Sequence, residues 1–258
     1  MAKQNFDWLI GKNALQEAFA AGKILQKVYL GDYLDNQMLK ELIKLSRQHK
    51  VSVLTVPRTK LDKLCKGNHQ GVLAMISPIE FYKVEDLVQS AFESGQNPCF
   101  ALLDGITDVH NFGAIARSAE VMGITGLIIG SRNSAPVNQE AIKVSAGALL
   151  RIPVCKINNP VHTLRELKKM GFVIVGADEK AKMHLQEADL NTSLVIVLGA
   201  EDLGISPEVK ACLDFSVSIP QAGHINSLNV SVSAGIIFYQ WRTGQDLMVK
   251  QTNDLKSK

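Results

Sequence analysis

Residues Phe215–Gln240 read FSVSIPQAGHINSLNVSVSAGIIFYQ. The stretch opens with a short apolar strand, Phe215 to Pro220, and Pro220 ends it because it has no N–H for a sheet ladder. A loop from Gln221 to Asn229 follows, rich in polar side chains, holding His224 and carrying no formal charge. Val230 to Trp241 then reads as an apolar helix. Ser231, Ser233, Ala234 and Gly235 near its start are small enough to let another backbone or a ligand come close. A polar, uncharged loop between two apolar elements suits a ligand site; a plain β-to-α turn has the same pattern.

Working outward from this stretch, the chain before it repeats the strand–loop–helix rhythm. Leu194–Leu198 (LVIVL) is the most uniformly apolar run, as a central parallel strand should be, and it enters the loop Gly199–Ser206, with Pro207 at a helix start. Cys99–Leu103 reads as a buried strand, followed by a polar turn at Thr107–Asn111 and a helix over Gly113–Met122. Further strands are predicted at Gly126–Ile129, Ile152–Ile157 and Phe172–Gly176, with helices over Glu140–Leu149 and His162–Met170. Strands alternating with helices imply an α/β fold with a mainly parallel sheet.

The first third of the chain has a similar alternation on a smaller scale. Asn13 can cap a helix to Ala21 with Gly22 at its stop. Ile24–Leu30, Val51–Val56 and Gly71–Ile76 read as strands, and Asn36–Lys50 and Thr59–Cys65 as helices. The boundaries predicted are a small α/β domain over 1–78, a linker with one helix over 79–97, a larger domain over 98–245 and a frayed tail over 246–258. Residues 1–78 hold 12 Lys+Arg against 6 Asp+Glu, a balance of +6, and the remainder carries −3. A basic first domain fits a polyanionic partner, although a solvated face without a partner would show the same bias. The four cysteines are scattered without a metal-ligand spacing, which fits reduced thiols in a cytoplasm. No run of 18 apolar residues predicts a membrane span, and the N-terminus has no apolar stretch of a signal peptide.

Three strand-to-loop junctions carry the candidate chemistry: 104–117, 199–206 and 219–229. In an open parallel sheet the strand C-ends share one edge, where ligands bind. The candidates singled out at these junctions are a guanidinium (Arg117), a carboxylate (Glu201) and several amides and hydroxyls. With a helix starting near Phe112, Arg117 sits in its second turn and could point back to the junction. His110 and His224 are weaker candidates for bases. No GxGxxG after a strand, GxxxxGK[ST] or GxSxG is present, which argues against a standard dinucleotide fold, a P-loop NTPase and an α/β-hydrolase.

At these junctions the chain resembles the SpoU/TrmH family of RNA ribose 2′-O-methyltransferases. The matching motifs are Asp108–Ala119 (DVHNFGAIARSA), Leu198–Ser206 (LGAEDLGIS), and Ile219–Gly223 with Ser227–Gly235 (IPQAG, SLNVSVSAG). Ser145–Ala148 fits too. Gly11–Leu15 and His69–Val72 are similar to the family's N-terminal, L30e-like substrate-binding domain. Val109 stands where Pro is usual and Gln221 where Met is usual. The arrangement looks most like the bacterial 23S rRNA guanosine-2′-O-methyltransferase subgroup; a tRNA enzyme, a resistance methylase or a silent RNA-binding factor are the alternatives.

The resemblance implies a trefoil-knotted (SPOUT-type) catalytic domain with helices on both faces of its sheet, a homodimer with the active site near its interface, and RNA as partner. It implies S-adenosylmethionine as methyl donor, with no metal. It assigns Gly199, Ile219 and Leu228 to the donor, Arg117 to the 2′-oxygen, and Asn111, Glu201, Ser227 and Asn229 to orienting Arg117 and the ribose. An ordinary guanidinium does not deprotonate, so the reading favoured for Arg117 is stabilisation of a developing alkoxide.

Overall fold

The computed structural model describes residues 8–223 and 227–256, with side chains as far as residue 245. The chain divides into two compact units, Met1–Glu80 with Pro136–Glu140, and Phe81–Ala135 with Ala141–Lys258.

The smaller unit runs β1 (Trp8–Ile10), α1 (Lys12–Ala20), β2 (Leu25–Gly31), α2 (Asn36–Gln48), β3 (Ser52–Val56), α3 (Arg58–Leu64) and β4 (Val72–Ile76). Its sheet is ordered β1-β4-β2-β3. β2 and β3 are parallel, and β4 is antiparallel to β1 and β2. Side chains alternate across the sheet, so Val28, Leu30, Val72 and Ala74 share a face that Leu15, Phe19 and Leu42 bury. On the other face Leu61 of α3 packs with Val56 and Leu73, beside Trp8 and Tyr29. The expected cap at Asn13 is replaced by Gly11, at φ 94° and without a side-chain bond. Asp35 caps α2, accepting from the backbone N–H of Gln37 at 2.9 Å and Met38 at 3.2 Å.

The larger unit continues with α4 (Val84–Glu93), β5 (Cys99–Asp104), α5 (Val109–Met122), β6 (Gly126–Gly130), α6 (Gln139–Val144), β7 (Val154–Ile157), α7 (Pro160–Lys169), β8 (Val173–Ala177), β9 (Met183–His184), β10 (Leu194–Gly199), α8 (Pro207–Lys210), β11 (Phe215–Ser218) and α9 (Val230–Lys256). Its seven strands are ordered β7-β6-β5-β10-β8-β11-β9 and every pairing is parallel. Leu194–Leu198 is the central strand, buried throughout between β5 and β8.

Three boundaries differ from expectation. The helix at 84–93, expected inside a linker, buries Val84 and Val88 against Phe100, Phe172 and Val195 of the larger core. α5 begins at Val109, not near Phe112, because Asp108 caps it. α9 continues to Lys256, past the expected end at Trp241 and through most of the expected tail. Among the described residues no helix is long and apolar enough to cross a membrane.

Candidate active site

Because every strand of the larger sheet is parallel, Asp104, Ala177, Gly199 and Ser218 end on one edge. The loop after β10 is a tight hairpin. Ala200 N donates to Gly204 O at 3.1 Å and Gly204 N donates to Ala200 O at 2.8 Å. Gly204 turns the chain at φ 68°. Gly199 lies under this turn: a Cβ there would stand 2.2 Å from the carbonyl carbon of Gly204 and 2.3 Å from Ile205 N. A carboxylate oxygen of Asp104, at the end of β5, accepts from Ser206 N at 2.7 Å and ties down the far end of the loop.

The first turn of α5 supplies Asn111, whose N–H is capped by Asp108 at 2.8 Å. Val109 occupies the first helical position, where the family's proline would be favoured for its fixed φ; Asp108 alone suffices to start the helix. Asn229, just before α9, joins the first turn of α5 to the loop after β10, at residues 90 positions apart in the chain. Its Nδ2 donates to Asn111 Oδ1 at 2.9 Å and to Glu201 Oε1. Its Oδ1 accepts from Ser231 N at 2.9 Å and from the Ser231 hydroxyl. Both N–H bonds and both carbonyl lone pairs are therefore used, which fixes which way the amide faces.

Beside this hub a pocket opens between the loops that follow β8, β10 and β11. Gly199, Ile219 and Leu228 all line it, as do Glu201, Ser227 and Gln221. Its far side is formed by Asp178 and Glu179, at the end of β8, and by Val230, Ser233 and Ile237 of α9. Asp178 is anchored: Lys210 Nζ donates to it at 2.6 Å and Lys180 N at 2.9 Å. The Lys210 hydrogen bond, opposed by partial burial and helped by the Lys180 N–H, holds the Asp178 carboxyl below its ordinary range. Asp178 and Glu179 were missed in the sequence, although they follow a strand C-end just as the three chosen junctions do.

Arg117 is not brought to the other candidates within one chain. It is exposed and makes no hydrogen bond or ion pair among the described residues. At about 100° per residue, Arg117 lies roughly 240° around the helix from Asn111 and about 9 Å along it. It shares a row with Val121, which is 67% exposed. His110 is exposed in the first turn of α5, and His224 lies outside the described residues. No group of three or more His, Cys, Asp or Glu able to hold a metal ion occurs among the described residues.

The sequence profile described as SpoU rRNA Methylase family matches residues 98–239, and that described as RNA 2′-O ribose methyltransferase substrate binding matches residues 8–82. A Bacillus subtilis (strain 168) protein named for the TrmH family of tRNA/rRNA methyltransferases is 35% identical over 237 residues, 92% of this chain and 95% of the relative. A solved structure of a TrmH-family protein from Porphyromonas gingivalis is 27% identical, covers 93% of this chain and 90% of its own, and has a TM-score of 0.56. The SpoU methyltransferase AviRb from Streptomyces viridochromogenes, solved in complex with AdoMet, shares the fold with a TM-score of 0.59, at 21% identity over 92% of this chain and 90% of that one.

Proposed function

The chain belongs to the SpoU rRNA methylase family, and from that premise we propose that it transfers a methyl group from S-adenosylmethionine to the ribose 2′-hydroxyl of a guanosine in 23S rRNA. The observation that carries this reading is Asn229, which ties Asn111 and Glu201 together at the mouth of a pocket lined by Gly199, Ile219 and Leu228.

The residues of the pocket fit the donor's chemistry. Leu198, Val217, Ile219 and Ile237 offer apolar walls for a nucleoside, and the loops at Gly199 and Leu228 offer backbone groups. The carboxylates of Asp178, Glu179 and Glu201 suit a ligand bearing positive charge. When bound, S-adenosylmethionine supplies an already activated methyl group on a sulfonium, so the protein's task is alignment and the handling of one proton. Asn229 and Glu201 hold the Gly199 and Leu228 loops in register. Asn111, whose Nδ2 is unengaged among the described residues, and Ser227 orient the ribose. Arg117 stabilises the charge developing on the 2′-oxygen, beside a substrate phosphate, while the hydroxyl proton passes to solvent.

Arg117 reaches that oxygen in a homodimer. Val232, Ile236 and Tyr239 follow one another at helical spacing on α9 and are 50%, 37% and 58% exposed. We take these residues, with the exposed Val121 and Arg117 of the neighbouring helix α5, as the face through which two copies meet. Two copies meeting through this face would bring Arg117 of the partner subunit to the loops of the first. The trefoil knot of the catalytic unit and a cytoplasmic location belong to the same reading.

The relative's name includes tRNA, so the substrate is tested against both RNAs. Purified protein is incubated with methyl-labelled donor and either 23S rRNA or tRNA, and the digested nucleosides are separated. Label in 2′-O-methylguanosine from 23S rRNA is expected; label only from tRNA, or only on a base, overturns the assignment.

A further inference from the structure

The smaller unit contains a constructed aromatic surface that none of the catalytic roles uses. Tyr33, just after β2, is 46% exposed. Its ring lies against Gly31, where a Cβ would stand 2.5 Å from the ring atom Cε1. The missing side chain at Gly31 is therefore what lets the ring rest on the backbone. The Tyr33 hydroxyl reaches Nδ1 of His69 at 3.5 Å. Over the ring stands the Arg58 guanidinium, 5.9 Å from its centroid.

His69 is only 4% exposed and fully engaged. Its Nδ1 accepts the Gly71 N–H at 3.1 Å, and its Nε2 faces Asp62 Oδ1 at 2.9 Å. Accepting at Nδ1 leaves the ring proton on Nε2, donated to Asp62, so the tautomer follows from the contacts. The turn is completed by Gln70 at φ 49° and Gly71 at φ 80°, and Leu34 fills the space a Cβ at Gly71 would take, at 2.6 Å. The His69-Gln70-Gly71 motif thus fixes the start of β4, with the Tyr33 hydroxyl beside it. Beside it, Arg58, Lys60, Lys63 and Lys66 are all exposed on or just after α3, against the single acid Asp62.

A half-exposed aromatic ring with a cation over one face, and further exposed cations on or just after the short helix that carries that cation, matches the chemistry of an unpaired nucleobase and its phosphates. We propose that Tyr33 is a base-stacking platform of the smaller unit: an unpaired base of the substrate RNA stacks on the ring on the Arg58 side, and Lys60, Lys63 and Lys66 meet the adjoining phosphates. The inference rests on the RNA-methylation reading and adds a specificity element to it. Arg58 is 73% exposed at its side chain, so it can swing outward and cover the incoming base.

The test measures binding of a fluorescent RNA hairpin with an unpaired loop, and of its fully paired counterpart, to the full-length protein. Tyr33→Phe should bind the hairpin like the wild type. Tyr33→Leu keeps apolar bulk but loses the π-face, and should weaken hairpin binding roughly 5- to 150-fold with little change for the duplex. Arg58→Ala should weaken binding and flatten its salt dependence, whereas Lys44→Ala on α2, also exposed, should not. Thermal unfolding and S-adenosylmethionine affinity should stay at wild-type values in Tyr33→Leu. Equal hairpin affinity for Tyr33→Leu and a wild type that methylates RNA would overturn this inference alone. A wild type that binds neither RNA nor S-adenosylmethionine would instead overturn the reading of its function.

Discussion

Replacing Gly199 by Ala perturbs the site at its tightest point. The added Cβ would meet Gly204 C at 2.2 Å, Ile205 N at 2.3 Å and Gly204 O at 2.5 Å. All three are backbone atoms, so no side chain can rotate away; the hairpin itself must lift. Overpacking of this kind costs about 1–3 kcal/mol. Lifting also strains the two Ala200–Gly204 hydrogen bonds and the Asp104–Ser206 bond, each worth about 0.5–1.5 kcal/mol net. A loss of about 2–4 kcal/mol is expected for Gly199→Ala in urea unfolding. Gly204→Ala is the matched control: no atom lies within 4 Å of its Cβ position, but its φ is +68°, so only the left-handed backbone penalty of about 1–2 kcal/mol applies. Calorimetry should show S-adenosylmethionine binding weakened at least ~10-fold in Gly199→Ala, equivalent to about 1.4 kcal/mol. Wild-type stability and donor affinity in Gly199→Ala would refute the claim that this hairpin shapes the donor pocket.

Other substitutions separate the roles of the remaining groups. Arg117→Ala should lower turnover by about 100-fold or more while stability changes by less than about 0.5 kcal/mol, because Arg117 is exposed and unpaired among the described residues; near-normal turnover would remove it from the mechanism. Asn229→Ala loses the bonds to Asn111, Glu201 and the Ser231 N–H, and should cost about 1–2 kcal/mol in thermal unfolding together with most of the activity. Asp178→Asn tests a pH dependence. The folded carboxyl is held below its ordinary range by Lys210, so its stabilisation is present above the unfolded value of ~3.9 and is lost as pH falls through the depressed folded value. The Asn variant should lack that acid-limb contribution, expected to be below about 1 kcal/mol for a pair open to solvent; identical acid limbs would argue against the Lys210 tie.

Much of the fold could be read from the chain because the parallel strands are continuous apolar runs. Leu194–Leu198 and Cys99–Leu103 are buried on both faces and read as such. Trp8–Ile10 and Met183–His184 are too short to show a period, and only their pairing partners make them strands. The start of α5 is hidden in the sequence because Val109 and His110 look like loop residues, yet Asp108 caps the helix before them. Long-range contacts were not legible at all. That Asn229 should hold Asn111 and Glu201 together follows from the folding of three distant loops to one edge. The steric need for glycine at 199 exists only once the chain turns back over it. Asp178 and Glu179 follow the C-end of β8 and are legible by the strand-end rule, but neither lies in a motif that marks it.

The proposed reaction is a ribose methylation in 23S rRNA. Its most direct test is mapping of 2′-O-methyl groups by mass spectrometry in 23S rRNA from cells with and without the gene, with Arg117→Ala as a third strain. The account predicts one guanosine whose 2′-O-methyl is absent without the gene, absent in the Arg117→Ala strain, and restored by the wild-type protein. An unchanged pattern of ribose methylation in all three strains would contradict it.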